Sequence, residues 1–405
     1  MKKTIFILFL CITLCSSFFF LAGAYNYKNS YWPFGRGYYG AVKKPITEVL
    51  NTTTHALAIK NYGKSYDSLA ILDESNEKEI QIIGLKGNAT TDEFAVPLDI
   101  YKAEFDLIQE KSKEVKIFTI KNNYRVGDVL VTDDKRIFVS YVVADHRNYT
   151  AVRLDELIKD NKIYSNKKIY QTPFMKRTGP MSSIMGGGKM IEYQKDQILL
   201  AVGTLSLYHY NNNVNKLDPS ASTHHDYGKI IKIDLITNKT EIFSSGHRNP
   251  HGLSYSKDDE IIIETEHGPM GGDEINIIEY GQDYGWPFVS YGIDYDTNDF
   301  TNQFKKGFGR HDGYKKPMYA FLPDVGIKGI QRMSGNQTEF PHWNKNYFLC
   351  STHGFFRIAV TENKPHSVIF RELIPLDVNC RDMEILKSGK IITNTGRVIR
   401  NNDLK

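Results

Sequence analysis

The chain has 405 residues, 41% of them hydrophobic, enough for one large domain or two ordinary ones. Its 51 basic and 47 acidic residues leave a net charge of +4, which gives no footprint for nucleic acid or for an anionic membrane surface. Aromatic residues reach 12%, with 25 Tyr and 22 Phe, a composition that favours strands over helices.

Lys2 and Lys3 precede an apolar run from Ile5 to Leu21, and Ala22-Gly23-Ala24 offers a small-x-small cleavage site. This is the pattern of a secretory signal. A run of this length also spans a bilayer. Residues 1–24 therefore read either as a cleaved signal peptide or as a retained anchor over residues 5–24, the one membrane contact expected. Either way the chain is exported, to the periplasm or the extracellular space. Leu14 before Cys15 argues against a lipoprotein. The exported part keeps only Cys350 and Cys380, which read equally well as a disulfide in an oxidising compartment or as two buried thiols.

After Ala24, helical periodicity is confined to residues 102–114 and 153–160, which are expected to be short helices. The rest reads as short β runs between polar turns. VLVTDDKRIFVSY (129–141), MIEYQKDQILLAV (190–202), LSYSKDDEIIIET (253–265) and MEILKSGKIITNT (383–395) share one pattern: a β run, a charged turn, a second β run. Asp134, Asp196 and Asp258 mark those turns at intervals of 62 residues. A hairpin recurring at this period is what the blade of a β-propeller gives. The exported length divides into six blades of about 63 residues each. The expected fold is all-β, a single six-bladed propeller domain over residues 25–405, with the pattern weakest in its first blade.

Function in a propeller sits at one mouth of the central channel. GHRNPHGL (246–253) enters the third repeated hairpin and EHGPMGGDE (266–274) leaves it, so the two loops should meet at one end of the same blade. Arg248 on a rigid turn suits a carboxylate or a carbonyl; it also suits bracing a neighbouring blade. His247 and His251 could each be a base, a ligand or a turn donor. Gly268-Pro269 would present carbonyls fit for a hard cation such as calcium, or facing water. Asp273 and Glu274 could be ligands or turn caps. DYDTND (294–299) fails as an EF-hand, since Asp299 stands where glycine is required and Lys305 where a bidentate acid is required. GxSxG, Walker and HExxH motifs are absent.

GHRNPHGL, then TEHGPMGGDEIN, then YGWPFVSYG resembles the glucose/sorbosone dehydrogenase family, and the resemblance is clearest over residues 125–400. It implies an exported six-bladed propeller that uses pyrroloquinoline quinone (PQQ) and calcium to oxidise an aldose at C1, passing electrons to an acceptor the sequence does not name. It implies that Arg248 and Asn249 contact the quinone, that the carbonyls of Gly268 and Pro269 hold the calcium, and that Arg381 faces the quinone carboxylates. The sequence departs from the family at SIMGGGKM (183–190), where Met185 takes the position of the catalytic histidine. Asn379 replaces a second arginine, and His353 stands near the position of a lysine. His251 and His353 are the candidate substitutes for the base and for cofactor contacts, with His146, His224 and His225 also in loops. Two functions follow: a quinoprotein sugar dehydrogenase with a relocated base, or a non-catalytic relative that binds a ligand or protein at the old channel mouth.

Overall fold

The computed structural model describes residues 57–76, 78–87, 96–109, 111–145, 149–176, 186–204, 226–269, 271–292, 311, 313–352, 354–374 and 380–401. The leader 1–24, Met185, His353, Asn379, His146, His224, His225 and the DYDTND segment lie outside the described residues.

The first strand, β1 (Leu57–Asn61), is set apart from the sheet that follows it. Blade one is β2 (Ser68–Asn76), β3 (Glu79–Lys86), β4 (Val96–Asp106) and the first half of β5 (Lys111–Val131). β5 pairs with β4 as far as Asn123 and with β6 (Ile137–Ala144) from Asn123 onward, so one long strand ends blade one and begins blade two. Blade two continues through β7 (Tyr149–Asp160) and β8 (Ile163–Gln171), with β9 (Met175–Lys176) added against β7. Blade three is β10 (Gly187–Gln194), β11 (Gln197–Val202), β12 (Lys229–Asp234) and β13 (Thr240–Ser245). Blade four is β14 (Pro250–Ser256), β15 (Ile261–Glu266), β16 (Asp273–Ile278) and β17 (Tyr319–Phe321). Blade five is β18 (Ile327–Arg332), β19 (Tyr347–Ser351), β20 (Gly354–Val360) and β21 (Val368–Ile374). Blade six is β22 (Met383–Ile385), β23 (Ile391–Thr393) and β24 (Arg397–Asn401), completed by β1 pairing with β24. The two ends of the described chain thus share one sheet.

All four repeated hairpins fall on the two innermost strands of a blade: β5–β6, β10–β11, β14–β15 and β22–β23. The expected helices are strands instead. Residues 102–114 run from β4 into β5, and 153–160 belong to β7. Leu154 and Leu157, three apart, imitate a helical face. Pairing of β7 with both β6 and β8 overrides that local signal.

Each sheet buries both faces, one against each neighbouring blade, so β6 reads as a continuous apolar run, IFVSYVVA. Six apolar clusters fill the six seams. Ile83 and Leu98 meet Val139 between blades one and two, and Phe138 and Leu154 meet Leu200 between two and three. Leu199 meets Ile262, Ile263 meets Leu349, Phe348 meets Met383, and Ile392 meets Leu69 around the rest of the ring. Burying each such side chain contributes about 1.5–3 kcal/mol. Cys350 on β19 and Cys380 before β22 form a disulfide that ties blade five to blade six, which decides between the two readings of this pair.

The innermost strands β2, β5, β10, β14, β18 and β22 pack side by side around the axis, each against the next and the last against the first. Their starts lie at one level. A Cβ on Gly188 would come 2.7 Å from the Cα of Gly127, so these two strands approach as only glycines allow. Gly252 lies against the Lys328 carbonyl, Gly329 against Arg381, and Ser68 bonds to both Asp128 and Asp382. The residues that begin the inner strands therefore surround one mouth of the channel.

Candidate active site at the channel mouth

The GHRNP and EHGP loops meet as their placement on β14 and β15 requires. Arg248, 4% exposed, donates through Nη1 to the carbonyls of His267 (2.8 Å) and Gly268 (2.7 Å). The Glu266 carboxylate accepts the backbone N–H groups of Arg248 and Asn249, which locks the first loop onto the strand below it. The guanidinium lies over the Trp286 ring, 5.2 Å from its centre. Asp273 holds the second loop by accepting from the N–H groups of Gly268, Val325 and Ile327. Gly268 has to be glycine, because a Cβ there would run into the carbonyl oxygens of Gly271 and Gly272.

Four cations collect at this mouth. Arg125 opens the inner strand of blade two, Lys328 that of blade five, Arg381 precedes that of blade six, and Arg248 enters blade four. Burial, then the repulsion of Arg381, pushes Arg125 down to about 10. Burial, then Arg381 and Arg125, pushes Lys328 down to about 8. Arg381 is 3.9 Å from Asp67, whose charge also reaches Arg125. Such a concentration of positive charge in a desolvated mouth favours an anion with several acidic groups.

Two histidines stand among these cations. His251, second residue of β14, and His267, just past β15, have ring centres 4.5 Å apart. Burial, then the charges of Arg248 and Lys328, pushes His267 down to about 4. Burial, then His267, Arg125, Lys328 and Arg381, holds His251 well below the usual histidine value. Both rings are neutral at pH 7. His267 bonds to the backbone of Ile327, and its Nε2 is buried with no hydrogen-bond partner among the described residues.

Of the residues expected from the sequence, Arg248, Asn249, His251, Gly268, Pro269 and Arg381 come together here. His247 does not: it lies deeper, fully buried against Tyr284. Sequence reasoning missed Arg125, Lys328 and His267. A single cation on a strand carries no local signal. The available clue was that Arg125 stands four residues before the repeated hairpin that begins at Val129.

Neutral histidines at a cation-lined channel mouth of a six-bladed propeller fit the frame of a sugar dehydrogenase. The comparisons agree at the level of family. Residues 122–398 match the Glucose / Sorbosone dehydrogenase family, and the chain belongs to it. It is 27% identical to the aldose sugar dehydrogenase YliI of Escherichia coli over 283 residues, 67% of this chain and 69% of that protein. Among solved structures, a glucose dehydrogenase superposes with a TM-score of 0.63 at 20% identity, over 86% of this chain and 99% of that one. The PQQ-bound form of an aldose sugar dehydrogenase from Streptomyces coelicolor gives 0.57 at 14% identity, over 86% and 98%. These likenesses support the propeller fold.

Proposed function

We propose that this chain is an exported quinoprotein dehydrogenase that oxidises an aldose at C1, with PQQ as its cofactor. The observation that carries the reading is the convergence of Arg125, Arg248, Lys328 and Arg381 on one mouth. The set fits a quinone bearing three carboxylates, and Arg125 and Lys328 supply cations in place of those the family has where Asn379 and His353 stand. When bound, the quinone supplies a two-electron acceptor for the C1 hydride. Arg125, Lys328 and Arg381 would hold its acidic groups. Arg248, fixed by two carbonyls and by Trp286, presents a desolvated charge that stabilises negative charge developing beside it. The carbonyls of Gly268 and Pro269 would hold a calcium ion, and the Gly268 carbonyl also accepts from Arg248.

His267 takes the role that Met185 cannot. Its ring is neutral, one side is tied to Ile327, and Nε2 keeps a lone pair able to accept the proton of the C1 hydroxyl. His251 lies beside it and orders the same pocket. The Cys350–Cys380 disulfide supports export to an oxidising compartment.

The test is a calorimetric titration of the purified chain with PQQ and calcium, followed by assay of aldoses with an artificial electron acceptor. Absence of binding at micromolar quinone sinks the reading. Binding without turnover favours the second reading, a ligand-binding relative, for which methionine at position 185 is the supporting observation.

A further inference from the structure

The face of blade four that meets blade three changes character along its length. Side chains alternate on a strand, so Ile262, Glu264 and Glu266 of β15 share one face. Across the ladder they oppose Ile278, Asn276 and Glu274 of β16. The apolar pair belongs to the seam with blade three. The two polar pairs continue that seam toward the channel, and all four residues are at most 6% exposed.

His247, in the turn after β13, is also fully buried there. Its ring stacks on Tyr284 with 4.8 Å between centres, and Nε2 is 2.8 Å from the Ser244 hydroxyl. Nδ1 has no hydrogen-bond partner among the described residues. A ring nitrogen of His247 and one carboxylate oxygen each from Glu264 and Glu266 lie within 4.8 Å of one another.

Glu266 Oε2 already accepts from the Arg248 and Asn249 N–H groups, and the remaining donors are too few for the other acceptors. Asn276 Nδ2 serves Glu264 Oε2 at 3.1 Å and Glu266 Oε1 at 3.3 Å. Glu264 Oε1 is buried without a partner among the described residues. In the tautomer that donates Nε2–H to Ser244, Nδ1 keeps its lone pair. Buried lone pairs that face one another are costly unless a cation sits between them.

We propose that His247, Glu264 and Glu266 form a structural binding site for one divalent transition-metal ion, zinc or manganese, in the seam between blades three and four. One imidazole and two carboxylates within this span match the mixed nitrogen–oxygen, low-coordination set of such ions. Calcium, which takes six to eight oxygens, matches it poorly. Ser244 holds the ring orientation of the ligating histidine. A small cavity lined by Arg248, Glu266, Glu274 and Trp286 lies beside Glu266. The site joins β15 to the turn after β13, so it clamps two blades, and it is independent of the quinone reading.

The test uses the full exported chain without quinone, stripped with chelator, reloaded separately with Zn²⁺, Mn²⁺ or Ca²⁺, and desalted. Elemental analysis by plasma mass spectrometry and thermal unfolding are the readouts. The wild type should keep about one equivalent of zinc or manganese and melt several degrees higher when loaded. Glu264→Gln, close in shape, should lose at least tenfold in retained metal together with the thermal shift. Should Glu264→Gln fail to fold, Ser244→Ala takes its place, with an expected 10- to 100-fold loss of affinity. Retention of metal by the variant equal to wild type, loss of all zinc and manganese from the wild type on desalting, or stoichiometric retention of calcium alone would each overturn the assignment.

Discussion

Lys189 and Asp382, 193 residues apart in sequence, meet at 2.6 Å inside the channel. Lys189 also reaches Asp128 at 2.8 Å, and Ser68 bonds to both aspartates. Blades one, two, three and six therefore share one polar hub beneath the channel mouth. Burial works against the lysine charge, but the two aspartates hold its pKa above the usual value. Burial also raises Asp128 to about 6, against the pull of Lys189 and with the help of Asp382. Lys189→Met would leave two buried carboxylates facing each other without a counter-charge. The expected loss is about 3–5 kcal/mol of unfolding free energy in urea. Adding Asp382→Asn to Lys189→Met should recover part of it. A loss under about 1 kcal/mol would show that the hub does not hold the ring.

The disulfide between Cys350 and Cys380 closes a loop of sequence separation 30 and bridges the fifth and sixth blades. Blade six is the one completed by the first and last described strands, so a cross-link beside it guards the closure of the ring. Removing it as the paired Cys350→Ala/Cys380→Ala variant should cost roughly 2–4 kcal/mol. Oxidised wild-type protein should show no free thiol at these positions when denatured and treated with a thiol reagent. Reactive thiol at both positions would contradict the pairing.

On the proposed function, charge at the channel mouth holds the cofactor, which predicts a graded loss. Arg125→Gln and Lys328→Gln should each weaken PQQ binding at least tenfold in a calorimetric titration, about 1.4 kcal/mol or more. Lys328, held at about 8, should also make quinone binding weaken as pH rises from 7 to 9, because the folded lysine loses its charge across that range. Lys328→Gln should flatten that dependence. Wild-type affinity in both single variants would remove these residues from the cofactor site.

Much of this architecture was legible because it repeats. Four of the six inner hairpins carry a charged turn between two apolar runs, and that period alone points to blades. The hairpin of blade five does not repeat, because a 3-10 turn at Pro341–Trp343 lies between β18 and β19. Blade one shares the long strand β5 with blade two, so its limit has no turn to mark it. The same logic governs the site. The GHRNP and EHGP loops stand out because their backbones demand glycine and proline. Arg125 and Lys328 are ordinary residues on ordinary strands, made functional only by the ring that places their strand starts side by side. His267 sat within a recognised motif, but its free Nε2 is a consequence of packing against Ile327.

The assignment of His267 as base has a pH signature that a purely structural histidine shares only in part. Its folded pKa, about 4, lies below the value of an unfolded histidine near 6.5. The unfolded chain therefore takes up a proton that the folded chain refuses. The stability contributed by neutral His267 is fully present above pH 6.5 and is lost as pH falls toward 4. His267→Gln removes this linkage, so the variant should lose less stability than wild type between pH 7 and 4, by at most about 3 kcal/mol. That much follows from burial alone. Base catalysis adds a second readout: His267→Gln should lower kcat about 10²- to 10⁴-fold with quinone affinity within a few-fold of wild type. Wild-type activity should persist below pH 6.5, with the acid limb of kcat/KM displaced toward the folded pKa. A variant that keeps full turnover while losing the stability linkage would leave His267 structural and move the search for the base to His251.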